Sequence, residues 1–312
     1  MRVSLSLPTH RVDVPEFVSA AGIVAMAQAA EHAGADAVYV TEHPFPGDAW
    51  LATGGHHALD PFVVLALAAG ATERLRLQTN LVIAAYRNPF LLAKAIASLD
   101  AVSGGRTIIG IGAGYLEPEY AALGVDMAER NALTDEAIAA MRAAWTGESV
   151  TLTGRHWRAE ANTMLPRPTQ RPGPPIWIGG NSARAMRRAV ELGDGWVPML
   201  TTERSSSRVR SWPIASVADL ATRVAEARQH AAAVGRTAPF DVAFSPAGLA
   251  LDPGARDSGA RLAEHAAELA AAGVTYLNAG VPGATLSEVL DNIAWFGADV
   301  MPAVAAVATA PR

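Results

Sequence analysis

Hydrophobic residues along this chain fall into short runs of strand length that alternate with longer stretches at helical spacing. The pattern is clearest between Leu75 and Tyr115. Leu75 to Ile83 is an apolar run with too few polar breaks for a half-exposed strand, which predicts a strand buried on both faces. Asn88-Pro89 then supplies an N-cap and an N1 proline. Leu92, Ile96, Leu99 and Val102 follow at helical spacing, and Gly104 stands where a C′ glycine belongs. Thr107 to Ile111 is a second buried strand, running out into Gly112-Ala113-Gly114. Strand, helix and returning strand make a right-handed βαβ unit with parallel strands.

The unit recurs along the chain. Val3 to Leu7 and Ala37 to Val40 predict the first two strands, with a helix over Pro15 to His32 between them and another opened by Asp60-Pro61. After Gly114 comes an excursion, YLEPEYAALGVDMAERN, and then a helix from Leu133 to Trp145. Gly147 to Arg158 and Thr163 to Arg167 predict a small hairpin-like insertion before a proline-rich return. Ile176 to Ile178 and Gly195 to Pro198 are the fifth and sixth strands, flanking a helix over Ala183 to Leu192. Ser216 to Asp219 resembles a capping box with Asp in place of Glu. The seventh strand falls within Phe240 to Leu251 and the eighth at Val274 to Asn278, with helices over Leu262 to Ala271 and through Leu286, Leu290, Ile293 and Phe296.

Eight strands alternating with helices, and no break in composition, predict an α/β fold with a parallel sheet: one (β/α)₈ TIM barrel domain across residues 1–312. The competing architecture is a doubly wound open sheet. The count of eight favours the barrel, and so do long loops at strand carboxyl ends set against short returns such as Gly34-Ala35-Asp36 and Gly193-Asp194-Gly195. Insertions are therefore expected at the strand C-terminal face, where barrels build their active sites.

Composition narrows the chemistry. A net charge of −5 argues against a nucleic-acid or anionic-membrane surface. Without cysteine there is no disulfide, thiolate nucleophile or cysteine metal site. No signal-peptide pattern opens the chain, and no uninterrupted apolar run reaches about 18 residues, so a soluble cytoplasmic protein is expected.

The candidate chemistry lies at strand ends. Gly112-Ala113-Gly114 leaves the fourth strand, and Gly179-Gly180-Asn181-Ser182 leaves the fifth into a helix. Such exits are either tight turns or places where backbone amides approach an anion. GIGAGY is not a full dinucleotide fingerprint, since no glycine follows at the third position. Glu42-His43 ends the second strand, where an imidazole can exchange a proton near neutral pH or cap backbone groups. His56 and His57, in a glycine-rich loop, read as solvated rather than catalytic, and His10 after the first strand is read the same way. No ligand spacing declares a metal site.

Four blocks carry a family resemblance: GADAVYVTEH (Gly34 to His43), TNLVIAAYRNP (Thr79 to Pro89), SGGRTIIGIGAGYLEPEYAALGVD (Ser103 to Asp126) and MLPRPTQRPGPPIWIGGNSARAMRRAVELGDGW (Met164 to Trp196). On them the chain resembles the bacterial-luciferase-like superfamily of (β/α)₈ flavin and deazaflavin oxidoreductases, in particular its coenzyme F420-dependent branch. The resemblance implies a bulged third strand with a non-prolyl cis peptide at Asn80-Leu81, so that Thr79, Asn80 and Leu81 back the cofactor ring. It also implies cofactor contacts at Gly112, Ala113 and Gly114 and at Gly179, Gly180, Asn181 and Ser182. His43, Glu42 and Tyr115 are the implied catalytic residues. Tyr115 stands where the superfamily's sugar-phosphate dehydrogenases carry a glutamate, which counts against a sugar-phosphate substrate.

The expected activity is hydride exchange between F420 and a small organic substrate. The alternatives are a two-component monooxygenase using reduced FMN and a barrel that only binds ligand. A reductase supplying reduced flavin or F420, and a homodimer, are the expected partners.

Overall fold

The computed structural model describes residues 1–201, 212–246 and 258–307. Its strands are β1 (Arg2–Ser6), β2 (Ala37–Val40), β3 (Arg76–Ile83), β4 (Thr107–Gly112), β5 (Val150–Thr153), β6 (Arg158–Asn162), β7 (Ile176–Gly179), β8 (Gly195–Val197), β9 (Asp241–Phe244) and β10 (Tyr276–Ala279). All but β5 and β6 close into a parallel barrel in the order β1-β2-β3-β4-β7-β8-β9-β10, and β10 pairs back onto β1 through Val3↔Leu277 and Ser4↔Asn278. The (β/α)₈ architecture is therefore as expected.

Local chemistry explains where the outer helices begin. The Asn88 side chain accepts the Phe90 amide at 2.9 Å to open the helix Pro89–Val102, and Gly104 follows its end at φ +69°. Asp60 accepts the amides of Phe62 and Val63 to open Pro61–Ala71. Ser216 and Asp219 form a reciprocal capping box for Val217–Ala233, the aspartate replacing the usual glutamate.

Two apolar layers result. Between barrel and helices lie residues such as Val3, Leu5, Val38, Leu77, Ile109, Ile178 and Leu277, packed against Leu65, Leu92, Ile96 and Ile138. Inside the barrel, Ile108, Trp177, Val197, Ala243 and Tyr276 fill the bore, with Leu81 packed on them from above. Each fully buried large side chain contributes about 1.5–3 kcal/mol. This plug fills the bore below the cavity that opens at the strand carboxyl ends.

One irregularity shapes that cavity. Pairing between β3 and β4 slips from Thr79↔Ile109 to Val82↔Ile111, so β3 carries one extra residue, and Asn80-Leu81 within it is cis. Gly110 opposite makes the close approach feasible, because a Cβ there would lie 2.3 Å from the Thr79 carbonyl oxygen. The Thr79 hydroxyl accepts the Gly110 amide at 2.9 Å and donates to its carbonyl at 3.0 Å.

Three details differ from expectation. The span Pro15 to His32 is a 3₁₀ turn, Pro15–Val18, and a separate α-helix, Ala20–His32, because Ser19 accepts the Gly22 amide and starts a new helix. The second hairpin arm is Arg158–Asn162 rather than Thr163 to Arg167. The helix expected from Leu133 starts at Arg130. The seventh strand, Asp241–Phe244, falls within the expected span, whose last part, residues 247–251, lies outside the described residues.

Candidate active site

The cavity, about 300 Å³, opens at the carboxyl ends of β2, β3, β4, β7 and β8. Its floor is the β3 bulge. Asn80 and Leu81 line it beside Gly112, Ala113 and Gly114 from the β4 exit and Gly179 and Gly180 from the β7 exit. Glycine matters most at Gly179, where a Cβ would meet Leu81 Cδ1 at 2.0 Å, and at Gly180, which holds φ +109°. The result is a flat apolar shelf edged by exposed backbone.

At one end of the shelf the groups suit an anion. Ser182 caps the helix Ala183–Leu192 by accepting the Ala185 amide at 3.1 Å, and that helix start lies on the cavity with Arg130, Asn131 and Arg188. Arg188 is buried; its guanidinium bonds the Asp135 carboxylate and the Asn131 carbonyl and side chain.

At the other end stands His43, whose side chain is 9% exposed, with Nδ1 3.5 Å from Glu119 Oε2. That turn leaves Nε2 as the nitrogen available to the cavity. Glu119 is itself fully buried on the short helix Glu117–Ala122. It accepts the Phe45 amide at 3.0 Å and the Tyr86 hydroxyl at 2.8 Å. Burial opposes its ionisation, but the donors His43, Tyr86 and the Phe45 amide outweigh burial and hold its pKa below the ordinary value. Burial together with the Glu119 charge pushes Tyr115 up to about 12, so this phenol keeps its proton.

The sequence-derived candidates divide into two groups. Glu42, His43, Tyr115, Asn80, Leu81, Gly112, Ala113, Gly114, Gly179, Gly180 and Ser182 all line the cavity. Thr79 and Asn181 do not. Thr79 seals the bulge from behind, as described, and Asn181 turns away to staple loops. It donates to the Met199 and Trp212 carbonyls, both at 2.8 Å, and accepts the Met199 amide. Glu42 lines the cavity but is spent on structure: it accepts the Ile83 amide at 2.8 Å and pairs with Arg87 Nη2 at 2.5 Å. Burial raises its pKa and the Arg87 charge counteracts that.

Sequence reasoning missed Glu119, Arg130 and Arg188, and it misjudged His56. No local signal separates Glu119 from the neighbouring Glu117; only the helix orientation buries one of them. His56 is not a solvated loop residue. It lines the cavity, set edge-on to His43 with ring centres 4.9 Å apart. Burial and the nearby His43, His10 and His57 lower its pKa to about 4. His57 remains exposed, as expected. Among the described residues no three His, Asp or Glu side chains converge on a metal position, and no helix is long and apolar enough to cross a membrane.

The chain is 37% identical over 172 residues to the F420-dependent glucose-6-phosphate dehydrogenase of Beutenbergia cavernae, covering 54% of this chain and 49% of that protein. It is 33% identical over 178 residues to the F420-dependent hydroxymycolic acid dehydrogenase of Mycobacterium tuberculosis, covering 56% and 48%. The matches thus span about half the length of these relatives. In fold the chain is similar to a monooxygenase from Streptomyces bottropensis, with a TM-score of 0.74 at 24% identity, covering 97% of this chain and 99% of the other. Residues 1–279 match the luciferase-like monooxygenase family, and the chain belongs to that family.

Proposed function

We propose that this protein is an F420-dependent oxidoreductase acting on a small organic substrate. The observation that carries the reading is the division of one cavity into three parts: a flat shelf on the β3 bulge, an anion-complementary end, and a histidine-carboxylate pair. A tricyclic ring with a phosphate-bearing tail has that same order of parts. Leu81, with the glycines of β4 and β7, would back the ring; Ser182, Arg130 and Arg188 would hold the tail. The names of the F420-dependent relatives support the choice of cofactor.

When bound, the deazaflavin supplies the hydride exchange. The chain's own residues do the rest. The shelf and the surrounding rings exclude water. Glu119 holds Nδ1 of His43, which leaves Nε2 to give or take the substrate proton at the cavity mouth. Tyr115 keeps its proton and orients an acceptor oxygen. Glu42 and Arg87 brace the bulge.

The second reading, reduced FMN with oxygen, is favoured by the description of the family as luciferase-like monooxygenases. FMN offers a similar ring and a phosphate, and a separate reductase would then be the partner. Either reading fits a cytoplasmic homodimer. Val63, Leu91 and Val102, each more than 60% exposed on the neighbouring helices Pro61–Ala71 and Pro89–Val102, supply an apolar face for self-association.

Side-by-side titration with F420 and FMN tests the proposal. F420 is expected to bind more tightly, and reduced F420 to be turned over with a cognate substrate. Failure of F420 either to bind or to be oxidised, with tight FMN binding, would overturn it in favour of the monooxygenase.

A further inference from the structure

We infer that the cavity wall made by His43, His56 and Tyr115 is a binding face for a flat, uncharged substrate bearing a carbonyl oxygen, such as an aryl ketone or a conjugated enone. The inference rests on the proposed function only in taking this wall as the substrate half of the cavity.

The first argument is shape. Five rings converge here from three strand exits. His56 stands edge-on to His43 at 87°, and His10 edge-on to His56 with centres 5.5 Å apart. Trp50 lies 4.5 Å from His43, and Tyr115 presents its edge to both His43 and Trp50 at 6.3 and 6.5 Å. Trp50 and His10 back the three rings that line the cavity. Rings locked against one another in this way form a rigid wall of edges and faces, which suits a planar π-system better than a flexible polyol.

The second argument is charge. The arginines lining the cavity among the described residues, Arg130 and Arg188, stand at the far end beside Ser182. The wall itself has no lysine or arginine. His56 stays neutral near neutral pH because partial burial and the neighbouring histidines lower its pKa to about 4. Behind His43 lies the Glu119 carboxylate, whose field opposes an anion. Tyr115, which keeps its proton, is then a hydrogen-bond donor awaiting an acceptor oxygen, and Nε2 of His43 stands beside it. A phosphate or carboxylate group belongs to the other end of the cavity, not to this one.

Calorimetric titration of the full chain, with and without F420, tests the inference using three probes: α-tetralone, its saturated counterpart α-decalone, and the anion naphthoate. α-Tetralone is expected to bind about tenfold more tightly than either of the others. His56→Ala and Tyr115→Phe should each weaken α-tetralone several-fold or more, with the thermal midpoint and F420 affinity little changed. Naphthoate or α-decalone binding as well as α-tetralone would overturn the inference, and so would α-tetralone affinity indifferent to both substitutions. A protein that binds F420 but not α-tetralone refutes this inference alone. One that shows the expected α-tetralone pattern but does not bind F420 supports the wall and refutes the cofactor assignment.

Discussion

Glu119 Oε2 lies 3.5 Å from His43 Nδ1 and 2.8 Å from the Tyr86 hydroxyl, so one buried carboxylate ties the exit of β2 to that of β3. The pair resembles a base and its orienter more than a structural ion pair, because one member faces the cavity and the other is sealed behind it. Glu119→Gln should therefore lower kcat about 10- to 100-fold while leaving KM for F420 nearly unchanged. The pH-rate profile should also shift, which a purely structural role would not produce. Steady-state kinetics across pH would show the split.

The same carboxylate sets an acid limit. Its folded pKa is lowered from 4.5, so its stabilising contribution is complete above the unfolded value and is lost as pH falls through the folded one. Thermal stability of the native protein should fall as the pH drops below 4.5. In Glu119→Gln, less stable at neutral pH, that part of the slope should be flatter.

His56 acts in a higher window. Between pH 6.5 and about 4 the unfolded chain binds a proton at this residue that the folded protein refuses. Stability should fall as pH drops through this range, because the unfolded state binds more protons. His56→Gln should remove that part of the pH dependence, and unfolding midpoints at closely spaced pH values would show it.

Arg87 Nη2 and Glu42 Oε1 form a pair in which the carboxylate side chain is 2% exposed. Removing only the arginine leaves a buried charge without its partner. Arg87→Ala should destabilise the fold by about 3 kcal/mol. The double variant with Glu42→Gln should cost less than the sum of the two single changes, which a double-mutant cycle in urea would measure.

Gly110→Ala should be among the more damaging single substitutions in the barrel. The added methyl meets the Thr79 carbonyl, which is backbone and cannot swing aside, so about 3 kcal/mol of destabilisation is expected. Gly179→Ala differs in kind. Its methyl meets the end of the Leu81 side chain, which can rotate into the cavity. Cofactor affinity should fall about tenfold or more with a much smaller change in unfolding midpoint, as paired binding and melting measurements would reveal.

Much of the fold was legible in the sequence because the signals are local. Period, caps and glycine stops act within a few residues, so Asn88, Gly104 and the Ser216–Asp219 box mark their helix ends without knowledge of the rest. The glycine exits and the Glu42-His43 strand end were visible for the same reason, since a parallel barrel sends every such end to one face. The bulge was not visible in the periodicity of β3; family resemblance alone pointed to it. Thr79 and Asn181 sit beside the cavity in sequence but turn their side chains into the scaffold.

What the tertiary structure decided is how distant segments meet. Glu119 becomes an orienter only because its helix packs over the exits of β2 and β3, and Glu117, two residues away, does not. Arg188 looks like one more surface charge on a polar helix until Asp135 and Asn131 draw it under the cavity rim. His56 sits in a glycine-rich loop with every local mark of exposure. Three other rings half-bury it, partial burial and neighbouring histidines lower its pKa, and no pattern within that loop encodes their approach. The sequence determined the elements and which of their ends share a face. Folding determined which groups at that face are desolvated and paired, because burial and Coulomb interaction depend on distances in space rather than along the chain.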